Sequence, residues 1–331
     1  INAATFETDG FYVSARKGDS EYFSDVAYSY SNGSDTKTWT SATKYYWPKD
    51  DSSLDFYAYA PKATGDNSNT QITAHSAYNS FEVTPSSTAS EQVDLVFANV
   101  NGQKKSVNST GVTLNFRHAE SKVAIKLKNT NSNLTMTVES VTIGNVKNKG
   151  VYTYAKIDAG TTASSTYLLN NDWNLNSSSN TTYTQSVTSL NAYSTATEAQ
   201  AGVDMILIPQ TLTKATKYAT GDNNAAFNGS YISVQLKIQN NSIYIAGSAD
   251  TYVTAMWPLE NIQWEPGHKY TYTVDLAGGG YYLTNQEGTT EDLDPILEDV
   301  EIKFVSVTVD TWTDYDADGN TEGNQPISVS N

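Results

Sequence analysis

Apolar and polar residues alternate with a period of two along much of this chain. Val112, Leu114 and Phe116 are interleaved with Thr113, Asn115 and Arg117, and Val123, Ile125 and Leu127 with Lys122, Ala124, Lys126 and Lys128. The same pattern runs through Leu54 to Ala58, Ile232 to Ile238 and Tyr270 to Leu276. Successive side chains of a strand point to opposite faces, so each segment predicts a half-buried strand with one apolar and one wetted face. Asp9-Gly10, Asn32-Gly33, Asn101-Gly102 and Asn228-Gly229 tolerate positive φ and predict tight strand reversals. Two segments change phase: Leu134, Met136 and Val138 give way to Val141 and Ile143, and Ile302 and Phe304 to Val305, Val307 and Val309. An extra residue in the pleat predicts a β-bulge at each place. No long window shows the three-and-four spacing of a helix, and only Thr195 to Gly202 has room for a turn or two. The Ser/Thr/Asn-rich stretches Gly160 to Tyr183 and Thr213 to Gly229 predict long polar loops.

The fold class is therefore all-β. A length of 331 residues suits about two domains. The polar run Asn101 to Ser106 sets a boundary near residue 110, giving an N-terminal β-sandwich over 1–110 and a C-terminal one over 111–331. With 38% apolar residues, 6 Trp, 23 Tyr and 9 Phe, the chain has enough to pack. A net charge of −16 disfavours nucleic acid and anionic membrane surfaces as partners. Zero cysteines leave imidazole and oxygen groups as the only chemistry, and the histidines are His75, His118 and His268. The chain starts at Ile1 without a secretory leader, which is expected to have been removed.

An ordered series of short segments resembles the fimbrillin family, the type V pilus subunits and their surface lipoprotein relatives on Gram-negative anaerobes. It comprises Phe11-Tyr12-Val13, Tyr45-Tyr46-Trp47-Pro48, Leu54 to Pro61, Val93-Asp94-Leu95-Val96, Phe116 to Val123, Leu207-Ile208-Pro209-Gln210, Trp264 to Tyr270 and Val307 to Trp312. The resemblance implies two tandem transthyretin-like β-sandwiches, export as a lipoprotein through an acylated cysteine upstream of Ile1, anchoring in the outer membrane, and assembly with other fimbrial subunits. In such assembly a protease removes the first strand, and a strand from a neighbour fills the groove. Here Ile1 to Val13 is the corresponding leaving strand, with Phe6, Phe11 and Val13 as its plugs and Arg16 or Lys17 as the nearest basic cleavage point. The tail Thr313 to Asn331 lacks alternating apolar residues until Ile327 and Val329, which makes it a poor donor strand.

Other candidate chemistry is sparse. His118 and Glu120 share one face of a strand while Ser121 lies on the other, so they form no triad, and His118 reads as a turn-closing histidine. Glu265-Pro266-Gly267-His268 reads as a type II turn. Asp314, Asp316 and Asp318 with Gly319 begin like a calcium loop, but Gln325 stands where the bidentate glutamate belongs. The acidic run Glu287 to Glu301 singles out no catalytic pair. Trp39, Tyr45, Tyr46 and Trp47, or Tyr281 and Tyr282, are candidate platforms for a glycan, host or microbial, against the alternative that such rings simply cover sheet faces. Taken together the expectation is a non-enzymatic structural or adhesive surface subunit without a resident cofactor, Ca²⁺ being the one candidate ion. A surface-displayed carbohydrate-binding protein is the alternative.

Overall fold

The computed structural model of the chain describes residues 3–31, 38–62, 71–74, 80–154, 173–176, 178–191, 198–218, 227–284, 292–297, 304–311 and 328–329. Among them strands dominate, joined by one short helix, Ala3–Asp9, and 3-10 turns at Ala89–Glu91 and Leu276–Gly278. His75 and the Asp314, Asp316 and Asp318 segment lie outside the described residues.

Seven strands form the first sheet, in the order Ser328–Val329, Thr38–Thr40, Ser20–Ser31, Phe11–Lys17, Leu54–Ala60, Val96–Gln103 and Arg117–His118. Only the first pair in that order is parallel. The pleat sends Phe11, Val13, Ala15, Phe56, Ala58, Val96 and Ala98 to one face, where they meet Phe6 and the extended run Val112, Leu114 and Phe116. It sends Tyr12, Tyr57, Tyr59 and Phe97 to the other, against a four-stranded sheet of Trp173–Asn174, Gly150–Thr153, Ser80–Thr84 and Gln71–Ala74. The face expected to be wetted in Leu54–Ala58 is thus largely covered, with Asp55 and Tyr57 only partly exposed. Tyrosine is polar only at its hydroxyl, and its ring packs as an apolar group: Tyr12 and Tyr59, cross-strand partners, stack with centroids 5.6 Å apart.

The second half makes a two-layer sandwich. One layer has six strands: Asn180–Asn191, Leu134–Lys147, Tyr231–Asn240, Val253–Pro258 and Tyr281–Tyr282 in order, with Ile243–Ala246 also on Tyr231–Asn240. The other has five: Ala199–Gln200, Ser121–Lys128, His268–Asp275 and Phe304–Thr311 in order, with Met205–Leu207 also on Ser121–Lys128. Val123, Ile125, Leu127, Tyr270, Tyr272 and Val274 face Met136, Val138, Val141, Ile143, Ile232, Val234 and Leu236 across a single core. Burying each such side chain contributes about 1.5–3 kcal/mol.

Both phase changes are bulges. Pairing shifts between Val138 and Ser140 on both sides of Leu134–Lys147, and between Tyr272 and Val274 against Val307 and Phe304. Other expectations are corrected. Asn101-Gly102 does not reverse the chain: Gly102, at φ 66°, makes a bulge inside Val96–Gln103, and its N–H donates to the Asp55 carboxylate at 2.6 Å. Ala199–Gln200, expected in a helical turn, is a short strand on Ser121–Lys128. Thr213 to Gly229 is not wholly solvated, since Tyr218 and Phe227 are buried and pair across a bridge. The Gly150–Thr153 strand pairs with Ser80–Thr84, so one sheet draws on both sides of residue 110.

Candidate functional site

Three places gather the residues singled out above. The first is the Phe11–Lys17 strand. It is the middle strand of its sheet, in regular register with Leu54–Ala60 from Tyr12 to Arg16, whereas its pairing with Ser20–Ser31 shifts twice, between Val13 and Ala15 and between Ala15 and Arg16. Phe11 and Val13 are buried. Phe6 is not on this strand but on the helix Ala3–Asp9, a correction to the expected continuous strand. Gly10 closes that helix, its N–H donating to the Phe6 carbonyl at 2.9 Å with φ 70°, and a Cβ there would lie 2.3 Å from the Tyr28 carbonyl oxygen. The Phe6 ring still reaches the same core, 4.6 Å from Phe116 and 5.9 Å from Phe11. Arg16 and Lys17 sit at the hairpin to the next strand, where Lys17 to Ser20 are exposed and Gly18 has φ 57°. Lys17 Nζ pairs with Asp50 at 3.0 Å, and the Arg16 guanidinium donates to the Asp19 carbonyl.

The second is an open groove lined by Tyr22, Phe23, Tyr45, Tyr46, Trp47 and Phe56, among others. Tyr45 packs on Phe23 with centroids 4.4 Å apart and Trp47 sets its edge on Phe56 at 5.8 Å. Tyr22 Oη donates to the Tyr46 carbonyl at 2.7 Å, leaving the Tyr46 side chain 68% exposed. Trp39 is not part of this platform: it is 5% exposed and packs on Phe11 and Tyr30 inside the core. Sequence reasoning missed Tyr22 and Phe23, which reach the groove only because the hairpin folds them toward residues 45–47. Tyr281 and Tyr282 are half-buried, and the Tyr282 carbonyl accepts from the buried Tyr218 hydroxyl at 2.8 Å.

The third is a joint between the halves, where four of the quoted segments meet. His118 Nδ1 lies 2.8 Å from Asp94 Oδ2, while Glu120, fully buried, accepts from the Leu95 N–H at 2.8 Å. Ser121 Oγ turns away from His118 and donates to the Glu265 carbonyl at 2.8 Å, and the Gly267 N–H donates to the Glu120 carbonyl at 2.8 Å. No nucleophile–base pair forms here. Glu265 to His268 is a turn with Gly267 at φ 72° and His268 N–H on the Glu265 carbonyl, as the Pro-Gly pair predicts. Tyr270 Oη holds it, donating to the Gln263 carbonyl and accepting from the Glu265 N–H, and burial pushes this hydroxyl up to about 12. Gln210 ties in by accepting the Lys147 N–H through its side chain and the Trp264 N–H through its carbonyl. Burial raises the Glu120 carboxyl well above its ordinary value, with the Asp94 charge adding to it. Asp94 is largely though not wholly covered, and the desolvation works to raise it, yet the His118 ring holds it below the ordinary value. Asp94 was not legible as the partner of His118, because 24 residues separate them.

Among the described residues no group of three or more His, Cys, Asp or Glu side chains is placed to hold a metal ion, and no helix is long and apolar enough to cross a membrane. The family model for fimbrillin-like proteins matches residues 3–312, and the chain belongs to that family. A fimbrial protein from Bacteroides vulgatus is 15% identical over 94% of this chain and 95% of its own, with a TM-score of 0.54. A candidate cell adhesion protein from Bacteroides uniformis is 17% identical, covering 92% and 91%, with a TM-score of 0.41. One from Parabacteroides distasonis is 10% identical, covering 91% and 87%, with a TM-score of 0.43. No curated protein matches the chain.

Proposed function

We propose that the chain is a structural or adhesive subunit of cell-surface fimbriae that assembles by exchange of its N-terminal strand. The observation that carries this reading is the setting of Phe11–Lys17: a central strand, irregularly paired on one side, that runs into an exposed hairpin bearing Arg16 and Lys17. Exposed loop tips are where proteases cut. Loss of the strand would leave unpaired N–H and C=O groups on both Ser20–Ser31 and Leu54–Ala60, beside an apolar slot lined by Phe23, Phe56 and Phe116. A foreign strand repairs both defects at once. The partners are other fimbrial subunits, export is as a lipoprotein anchored to the outer membrane by a cysteine upstream of Ile1, and no catalytic activity is assigned. The cores around Phe11 and around Ile232 are separate, which favours two sandwiches, but Val112, Leu114 and Phe116 pack in the first core and Gly150–Thr153 pairs with Ser80–Thr84, so the first sandwich draws on residues beyond 110.

Limited digestion of the folded chain with a protease specific for basic residues tests the reading. N-terminal sequencing after Arg16 or Lys17, together with a shift from monomer to large species in sedimentation, is expected. A chain cut there that stays monomeric overturns it.

A second reading, glycan binding, is favoured by the aromatic groove, where the exposed Tyr46 ring lies beside Tyr45 and Tyr22. Ring faces stack on sugars at low entropic cost. A glycan array read with the intact chain and with Tyr46→Ala checks it: signals lost in the variant support it, and silence of the intact chain removes it.

A further inference from the structure

The strand Ile243–Ala246 is an anomaly on an otherwise well-covered sandwich. It follows Tyr231–Asn240 through a two-residue reversal in which Asn241 and Ser242 both have positive φ, 46° and 71°, the geometry that matches strand twist. It pairs with Tyr231–Asn240 on one edge, and among the described residues no strand pairs with its other edge. Ile243, Tyr244 and Ile245 are 70%, 38% and 45% exposed, while Ala246 is buried.

Edges of this kind are normally blunted by a charge, a proline or a bulge. Here the pairing with Tyr231–Asn240 does carry one bulge, at Ile245 between Tyr244 and Ala246, but the run 238–249 contains no charged residue and no proline, in a chain of net charge −16. Lys237, the charged residue just before this run, is turned aside, since its Nζ donates to the Ala249 carbonyl and lies 4.3 Å from the Tyr252 ring centroid. On an acidic molecule whose copies repel, a neutral apolar edge is the place where two copies approach at least electrostatic cost. The triplet is also its own complement. In an antiparallel pair centred on Tyr244, Tyr244 faces Tyr244 of the second copy and Ile243 lies toward the bulged Ile245, so that aromatic and β-branched side chains meet on either side of the axis. Such a contact is isologous and closes on itself.

We propose that Ile243–Ala246 is a self-association edge, pairing antiparallel with the same strand of a second copy about a twofold axis and continuing the six-stranded sheet across two molecules. The contact is short and therefore weak in isolation. Between subunits already aligned in fibres it is repeated along the length, where effective concentration multiplies its effect. It lies in the second half of the chain and needs no cleavage at Arg16 or Lys17.

The test uses the intact, uncut chain. Sedimentation over a range of protein concentrations should show a reversible monomer–dimer equilibrium, and Ile245→Lys, which places like charges beside the axis, should weaken it by about tenfold or more. Val107→Lys, at an exposed apolar residue elsewhere, should leave it unchanged. Because the chain has no cysteine, Tyr244→Cys gives an independent readout: oxidation should yield a disulfide-linked dimer in excess of that from Val107→Cys. A chain monomeric at its highest soluble concentration overturns the proposal and leaves the edge to a strand of another protein. Equal weakening by Val107→Lys, or equal cross-linking of the two cysteine variants, overturns it as well.

Discussion

Glu120 Oε2 accepts the Leu95 N–H at 2.8 Å with the Glu120 side chain fully buried, while Glu120 Oε1 has no hydrogen-bond partner among the described residues. A carboxyl in that setting is held neutral, since its charged form would lose hydration without compensation. Its folded pKa is raised above the unfolded one. Its contribution to stability is therefore complete below the unfolded value of about 4.3 and is lost as pH rises toward the folded value. Glu120→Gln should flatten the alkaline side of a plot of denaturant-unfolding free energy against pH. An unchanged slope in the variant would show that Glu120 does not carry the effect.

The Asp94–His118 pair has the opposite sign. The folded Asp94 pKa is lowered, so its stabilisation is present above the unfolded value near about 3.9 and disappears as pH falls through the folded one. Asp94→Asn should cost roughly 1–3 kcal/mol at neutral pH, and the loss should shrink in acid. A double-mutant cycle with His118→Ala measures the coupling, and a coupling near zero would show the pair to be incidental.

Trp264 Nε1 donates to Tyr272 Oη at 2.8 Å with both rings buried. Tyr272→Phe keeps the ring but strands the indole N–H, which should cost about 1–3 kcal/mol and lower the melting temperature. Retention of the wild-type melting temperature would mean that the indole finds another acceptor.

Most strands and both bulges were legible because Leu134–Lys147 and Phe304–Thr311 keep a two-residue rhythm that a bulge visibly breaks, but Val112 to Phe116, with the same rhythm, is extended without joining a sheet, and only Arg117–His118 pairs. The helix Ala3–Asp9 was not, being shorter than any window in which a 3.6-residue period emerges. Nor was the second buried face of the first sheet, since Tyr12, Tyr57 and Tyr59 read as half-polar until Phe81 and Tyr152 are brought against them from distant strands. Tyr45, Tyr46 and Trp47, grouped by their clustering in sequence, do line one groove. Trp39 misled for the same reason: proximity in the chain does not say that its strand turns it inward to Phe11.

Strand exchange predicts that Phe11–Lys17 must leave, and the absence of cysteine permits one direct measurement. Val13 and Ala58 are cross-strand partners facing the same core, so Val13→Cys with Ala58→Cys places a disulfide that pins the strand when oxidised and frees it when reduced. After cleavage at Arg16 or Lys17, sedimentation should find the oxidised protein monomeric and the reduced protein assembled. Equal assembly in both states would contradict the exchange of this strand.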